Sequence, residues 1–464
     1  MKNKSVTIII LFVLLCFFIP SNAQKITPFK DGERAVFLGN SITHGGHYHS
    51  YIWLYYMTHF PEMRIKILNA GIGGDRAIDM VKRLDGDVFS KNPTVIIATF
   101  GMNDSGYFEY NGDQPEKFAD EKVKESYDAY KQMEARFKNL ENTKVVLMGS
   151  SPYDETAAIE GNNPFRNKNK AMLRIVDFQR ESAKNNGWEF FDFNEPMTAI
   201  NQQFQQNNPK FTLCGTDRIH PDNDGHMVMA YLFLKAQGFA GKEVADINID
   251  GSKMNIISSS NCEISNLKKS STGMAFDYLA KSLPYPMDTI ARGWGYKKSQ
   301  AEVVKSVPFI EEMNREILSV KGLKGNYKLM IDEENIGTWP AKDLAEGINL
   351  ATLTNTPQYQ QALRVMFLNE ERWEIECRFR EYAWVQFNFF LNKGITDPNT
   401  REAIKILDKY KGSDGWLNGR RDLYSKAMFP EVRQAWQDEM DLLLSAIYEV
   451  NTPVKRKITL IRVN

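Results

Sequence analysis

A hydroxyl, an imidazole and a carboxylate occur in this sequence in surroundings that suit nucleophilic chemistry. Ser41 stands in Phe37-Leu38-Gly39-Asn40-Ser41-Ile42-Thr43, an apolar run that closes on glycine and meets the serine almost at once. A serine hydroxyl is a weak nucleophile, so it needs an exposed turn that delivers it to a base. Asp217-Arg218-Ile219-His220-Pro221 offers that base. Its imidazole can accept a proton at neutral pH, and a carboxylate three positions away can fix the ring tautomer from the same loop. Two more blocks carry donors for a developing negative charge. Asn69-Ala70-Gly71-Ile72-Gly73-Gly74-Asp75 lets backbone N–H groups come close to a ligand, and Phe100-Gly101-Met102-Asn103-Asp104 supplies the Asn103 carboxamide. Singly, each block reads more plainly as a helix cap, a glycine-rich turn or a solvated loop histidine. A phosphate cradle is disfavoured, because the chain lacks the Gly-Lys-Ser/Thr ending and the two-glycine opening at the first strand.

What unites the blocks is the pattern around them. From residue 34 to about 238, short β-branched apolar runs alternate with longer amphipathic segments, which signals βα units around a parallel sheet. Strands are predicted at 35–39, 65–70, 95–100, 145–149 and 189–193, with helices at about 50–59, 76–89, 117–139, 166–186 and 224–238. All four blocks then lie on loops at one edge of the sheet, where such sheets bind their ligands. Beyond Gly238 the pattern changes. Strands are predicted at 247–254, 255–264, 273–279, 317–320, 327–331 and 457–463, and helices at 358–392, 400–410 and 431–450. The second half, 241–464, reads as an α+β domain: a small β-sheet with a helical insertion at about 357–450.

Taken together, Gly39-Asn40-Ser41, Gly73-Gly74-Asp75, Gly101-x-Asn103-Asp104 and Asp217-x-x-His220-Pro221 resemble, in order and spacing, the four sequence blocks of the SGNH or GDSL hydrolases. The resemblance spans roughly residues 34–238, within a first domain at 24–240. It implies an α/β fold, a flavodoxin-like α/β/α sandwich with a five-stranded parallel sheet. It also implies roles: Ser41 as nucleophile, His220 as base, Asp217 as the acid that orients it. The N–H groups of Ser41 and Gly74 and the Asn103 side chain would form the oxyanion hole, with Gly73 the neighbour most easily confused with Gly74. One departure stands out: Asn40 occupies the place of the family's Asp. An amide there keeps the loop's shape and alters local charge.

Substrate is read less directly. His44, His47, Tyr48, His49 and Tyr51 crowd the nucleophile, and Tyr107, Phe108 and Tyr110 follow the third block. Such rings suit sugar faces, or a rim packed on the next helix. His44, His47 and Tyr107 are the substrate-binding candidates. No carboxylate or cysteine partners the histidines with a recognisable metal spacing, so neither metal nor cofactor is expected. By analogy with exported GDSL-like proteins, the expected substrate is an acylated carbohydrate, and the reaction O-deacetylation through an acyl-serine. The rivals are a lipase, lysophospholipase or thioesterase of the same fold, and a non-catalytic glycan-binding protein. The aromatic stretch at 381–391 is the one candidate for an apolar lid, although helix core is its plainer reading. The extension could shape the cleft, bind glycan or cover one flank of the sheet, the last being the simplest.

Composition narrows the partners. Lys and Arg number 58 against 58 Asp and Glu, with no long single-sign run, so nothing favours nucleic acid. Lys2 and Lys4 precede an apolar run that ends in Pro20-Ser21-Asn22-Ala23, which reads as a cleaved signal peptide at 1–23 and a secreted or periplasmic product. That run is shorter than the ~20 residues of a spanning helix, so no stable membrane insertion is expected after cleavage. Cys214, Cys262 and Cys377 then remain, too few for a disulfide framework.

Overall fold

The computed structural model describes residues 25–291, 297–410, 412–413 and 415–463. The expected signal segment lies outside them. In the first half, the apolar runs form β1 (Arg34–Gly39), β2 (Lys66–Gly71), β3 (Val95–Phe100), β4 (Lys144–Gly149) and β5 (Glu189–Asp192). They pair in parallel in the order β2-β1-β3-β4-β5. That is the flavodoxin-like order, whose switch point lies between β1 and β3.

Period-two alternation divides the strand side chains between two cores. Phe37, Ile97 and Met148 face one layer; Val36, Leu38, Ile96, Ala98 and Leu147 face the other. The second layer is α3 (Ala77–Lys82), α4 (Pro115–Lys138) and α5 (Lys168–Asn186), and the first is α2 (Tyr48–His59) with α7 (Asn223–Ala236). A four-residue helix, α1 (Ser41–His44), follows β1 directly.

Two local departures from expectation have physical causes. The helix predicted at 76–89 ends at Lys82 and continues as a π-turn, Leu84–Val88. There Gly86 meets the Phe387 ring so closely that a Cβ would lie 2.9 Å from it. An unpredicted helix, α6 (Asn194–Gln205), starts where the Asp192 carboxylate accepts the N–H groups of Asn194 and Glu195.

The second half holds two sheets where one small sheet was expected. Its elements are β6 (Ala245–Asp250), β7 (Asn255–Ser260), β8 (Cys262–Lys269), β9 (Gly273–Ala280), α8 (Phe309–Met313), β10 (Glu316–Lys321), β11 (Asn326–Ile331), β12 (Glu334–Pro340), α9 (Ala341–Glu346), β13 (Ile348–Asn349) and β14 (Arg456–Val463). The sheet orders are β13-β10-β6-β7 and β12-β11-β14-β9-β8. Strands such as β6 bury every second residue, so each sheet has one apolar face, and Ile247, Ile249, Leu318, Phe276, Leu329 and Leu460 meet in a single core.

Between β13 and β14 the helical insertion runs through α10 (Pro357–Ala383), a π-turn (Trp384–Phe390), α11 (Arg401–Tyr410), α12 (Arg420–Ala427) and α13 (Pro430–Val450). It packs on the first half: α10 lies against α2 and β2. All twelve residues of α2 are buried as a result, polar ones included. Among the described residues no helix is long and apolar enough to cross a membrane, and Cys214, Cys262 and Cys377 are free thiols.

Candidate active site

Ser41 is the first residue of α1, and the preceding Asn40 caps that helix, its Oδ1 accepting the Ile42 N–H at 3.0 Å. An amide oxygen does this as a carboxylate would, so the departure at residue 40 leaves the turn intact. Ser41 Oγ lies 2.8 Å from His220 Nε2, and His220 Nδ1 lies 2.5 Å from Asp217 Oδ2. Because an ionised carboxylate only accepts, Nδ1 carries the proton and Nε2 is left to accept the serine O–H. Burial pushes the Asp217 carboxyl up, but hydrogen bonds from the His220 ring and from the N–H groups of Ile219 and His220 outweigh it. The net direction is down, and Asp217 stays ionised at neutral pH.

The loop carrying these two residues owes its shape to Arg218. That residue sits at φ 70°, and its buried guanidinium donates to the carbonyls of Asp154 and Ala157 at 2.9 and 2.8 Å. A non-glycine residue in the left-handed region persists only where its surroundings over-determine it.

Opposite, the glycine block presents Gly74 at φ +89°, a conformation that costs glycine little. The Gly73 N–H is spent on His44 Nδ1 at 3.1 Å. Asn103 is held by both ends of its amide: Nδ2 donates to the Asp75 carbonyl at 2.9 Å, and Oδ1 accepts the Tyr107 hydroxyl at 2.6 Å. A second N–H remains on Nδ2. Lys168 fixes the loop below it, donating at 2.6 Å to Met102 O, Ser105 Oγ and Gly106 O.

Ser41, His220, Gly74, Asn103 and Tyr107 share a cavity of about 610 Å³. Its other wall comes from the helical insertion: Glu381, Trp384, Asn388, Trp416 and Arg420. A second cavity, about 400 Å³, also reaches Ser41 and His220 and is bounded by His47, Asn223, His226 and Trp373.

Of the predicted aromatic rim, His44 and Tyr107 line the first cavity and His47 the second, while the others are mostly core. Tyr48, His49 and Tyr51 are buried, and His49 Nε2 donates to Thr43 O. His47 stacks on Trp373 at 3.8 Å, and His44 faces Glu381. The three histidines therefore have separate partners, and among the described residues no cluster of three His, Cys, Asp or Glu forms that could hold a metal ion. The aromatic stretch at 381–391 is helix core, as expected, with Tyr382, Trp384, Phe389 and Phe390 buried in one cluster. Its second role as a wall of the Ser41 cavity left no local signal, because it depends on contacts across some 300 residues.

The chain is similar to known proteins in sequence and in structure. Residues 37–228 match the family model described as the GDSL-like lipase/acylhydrolase family. Residues 363–452 match the diltiazem deacetylase C-terminal helical domain. The structure of a gut microbial diltiazem-metabolizing enzyme superposes with a TM-score of 0.93 at 63% identity, covering 95% of this chain and 100% of the other. An acetylxylan esterase of Geobacillus stearothermophilus is 28% identical over 229 residues, 45% of this chain and 95% of its own length. A crystal structure of an acetylxylan esterase from the same organism aligns at a TM-score of 0.36 and 23% identity, over 45% of this chain and 96% of that one.

Proposed function

Since this chain belongs to the GDSL-like lipase/acylhydrolase family and is a carboxylic ester hydrolase, we propose that it is an exported acetylesterase in which Ser41 is the nucleophile, His220 the base and Asp217 its orienting acid. Ser41 Oγ attacks the ester carbonyl while its proton passes to His220 Nε2. The N–H groups of Ser41 and Gly74 and the Asn103 amide receive the oxyanion. Collapse expels the alcohol, which takes the proton from His220. Water then gives a proton to His220 Nε2 and attacks the acetyl-serine; the bond from the acyl carbon to Ser41 Oγ breaks, His220 returns the proton to Oγ, and the acetic acid formed ionises to acetate. The observation that carries this reading is the hydrogen-bonded line Ser41–His220–Asp217, at 2.8 and 2.5 Å, opening into the cavity that Gly74 and Asn103 also line.

The acetyl group is supported by the names of two relatives, an acetylxylan esterase and a diltiazem deacetylase domain. An acetylated carbohydrate is the leading substrate. Trp384 and Trp416 with the amides of Asn388 and Asn392 give the cavity ring faces and hydrogen-bonding groups together, which suits sugars. Diltiazem is a second reading, favoured by 63% identity to an enzyme that metabolizes it. The test is a panel of acetylated xylo-oligosaccharides, diltiazem, and short and long p-nitrophenyl esters, run with wild type and Ser41→Ala. Acetyl esters should be cleaved by wild type alone. Undiminished turnover in Ser41→Ala ends the nucleophile assignment, and a preference for long acyl chains replaces the acetylesterase by a lipase. Export rests on the signal-like residues 1–23, and sequencing the mature N-terminus checks it: Gln24 is expected first.

A further inference from the structure

The helical insertion holds two successive peptide groups of the glycine block, one directly through Trp384 and one through His44. Trp384, on the π-turn that follows α10, donates its Nε1–H to the Gly73 carbonyl at 3.1 Å. In a trans peptide the carbonyl and the following N–H point in opposite directions. A donor fixed on Gly73 C=O therefore fixes the direction of the Gly74 N–H, on the far side of the same plane.

The preceding peptide is held as well. The Gly73 N–H donates to His44 Nδ1 at 3.1 Å, and the opposite ring nitrogen of His44, Nε2, lies 3.2 Å from Glu381 Oε1. Since the carboxylate can only accept, it places the ring proton on Nε2 and keeps the Nδ1 lone pair for Gly73. Glu381 is itself ion-paired with Arg420 at the start of α12, and that guanidinium lies over the Trp384 ring, 4.4 Å from its centroid. His44 and Trp384 are both buried, at 5% and 6% exposure. Burial also holds the His44 imidazole below its ordinary pKa, so it is neutral at neutral pH, as an acceptor must be.

We infer that the helical insertion is a clamp on the oxyanion loop: Trp384, and Glu381 acting through His44, are positioning residues that aim the Gly74 N–H at the reacting carbonyl oxygen. This rests on Gly74 being an oxyanion donor for an ester attacked by Ser41. The insertion thereby has a task in the chemistry besides walling the cavity. A free glycine-rich loop samples many backbone states, and a donor held beforehand costs no reorganisation when charge develops.

The test compares Trp384→Phe, which keeps a ring and removes the N–H, with wild type on p-nitrophenyl acetate. A small alkylboronic acid serves as tetrahedral mimic. Trp384→Phe should lower kcat about 10- to 100-fold, the scale of a misplaced catalytic group, while KM moves less than about threefold. Boronate affinity should fall by the same factor as kcat/KM, a parallel that a merely structural change would not produce. His44→Phe, lacking an acceptor, should behave alike, and His44→Gln, which retains a carbonyl, should recover part of the rate. Melting curves report whether each variant is folded. Boronate affinity unchanged in Trp384→Phe, or equal rates for His44→Phe and His44→Gln, overturns the clamp. Failure of the underlying reading looks different: wild type would then give no fluorophosphonate adduct on Ser41, whatever residue 384 is.

Discussion

Each side chain at the proposed reaction centre is held by a further contact, and the order of those supports decides what a substitution does. Asn103 is aimed by Asp75 O and the Tyr107 hydroxyl, while its loop is held separately by Lys168 and by the Asp104 carboxylate, so its removal should subtract a donor without moving the loop. Asn103→Ala should lower kcat by about 10²- to 10³-fold, or ~3 to 4 kcal/mol, with little change in KM. Steady-state kinetics on p-nitrophenyl acetate check this, and a loss confined to KM would assign Asn103 to ground-state binding. Asp217, His220 and Ser41 were legible in the sequence as candidates, by residue type and loop placement, and the structure brings them within hydrogen-bond distance. Arg218 was not. Its contribution is a left-handed backbone and a guanidinium buried among carbonyls, and neither leaves a mark on the local sequence pattern.

At the scale of elements, the parallel sheet was readable because each strand is a short apolar run between turn residues, a local signal. The helical insertion's docking was not, because it depends on contacts spanning some 300 residues. One tie is a buried ion network: Arg380 of α10 donates twice to Asp87, at 2.8 and 2.7 Å, while Arg83 bridges Asp87 and Asp75 and reaches the Gly39 carbonyl at the end of β1. Removing one partner leaves a buried charge under-compensated. Arg380→Met should destabilise the protein by about 2 to 4 kcal/mol, read as a lower urea midpoint. An unchanged midpoint would mean that Arg83 and Lys91, whose Nζ lies 2.6 Å from Asp87 Oδ1, satisfy Asp87 between them. The two-sheet arrangement was also hidden in the sequence: alternation shows that a strand has one apolar face, but not which sheet that face meets.

Across the whole molecule, the β-sandwich and the helical insertion share a buried polar position at Glu316. It lies at the start of β10, fully buried, its Oε1 accepting from Tyr278 of β9 and Gln358 of α10 at 2.8 and 2.9 Å. Burial lifts its carboxyl from 4.5 to about 7, against the opposing pull of those two hydrogen bonds. The folded state thus holds a proton that the unfolded chain releases earlier. Its contribution to stability is complete below about pH 4.5 and is lost as pH rises through about 7. Glu316→Gln should flatten the fall in Tm over that window and be the more stable protein at pH 8. Equal slopes for the two proteins would place the titration elsewhere.

The proposed chemistry depends on Ser41 being the activated hydroxyl, and covalent trapping tests that most directly. Wild-type protein treated with a fluorophosphonate and digested should carry one adduct, on the peptide containing Ser41. Labelling should keep pace with the loss of p-nitrophenyl acetate turnover and be absent in Ser41→Ala. Full inactivation with the adduct on another residue, or continued ester hydrolysis by protein labelled stoichiometrically at Ser41, would contradict it.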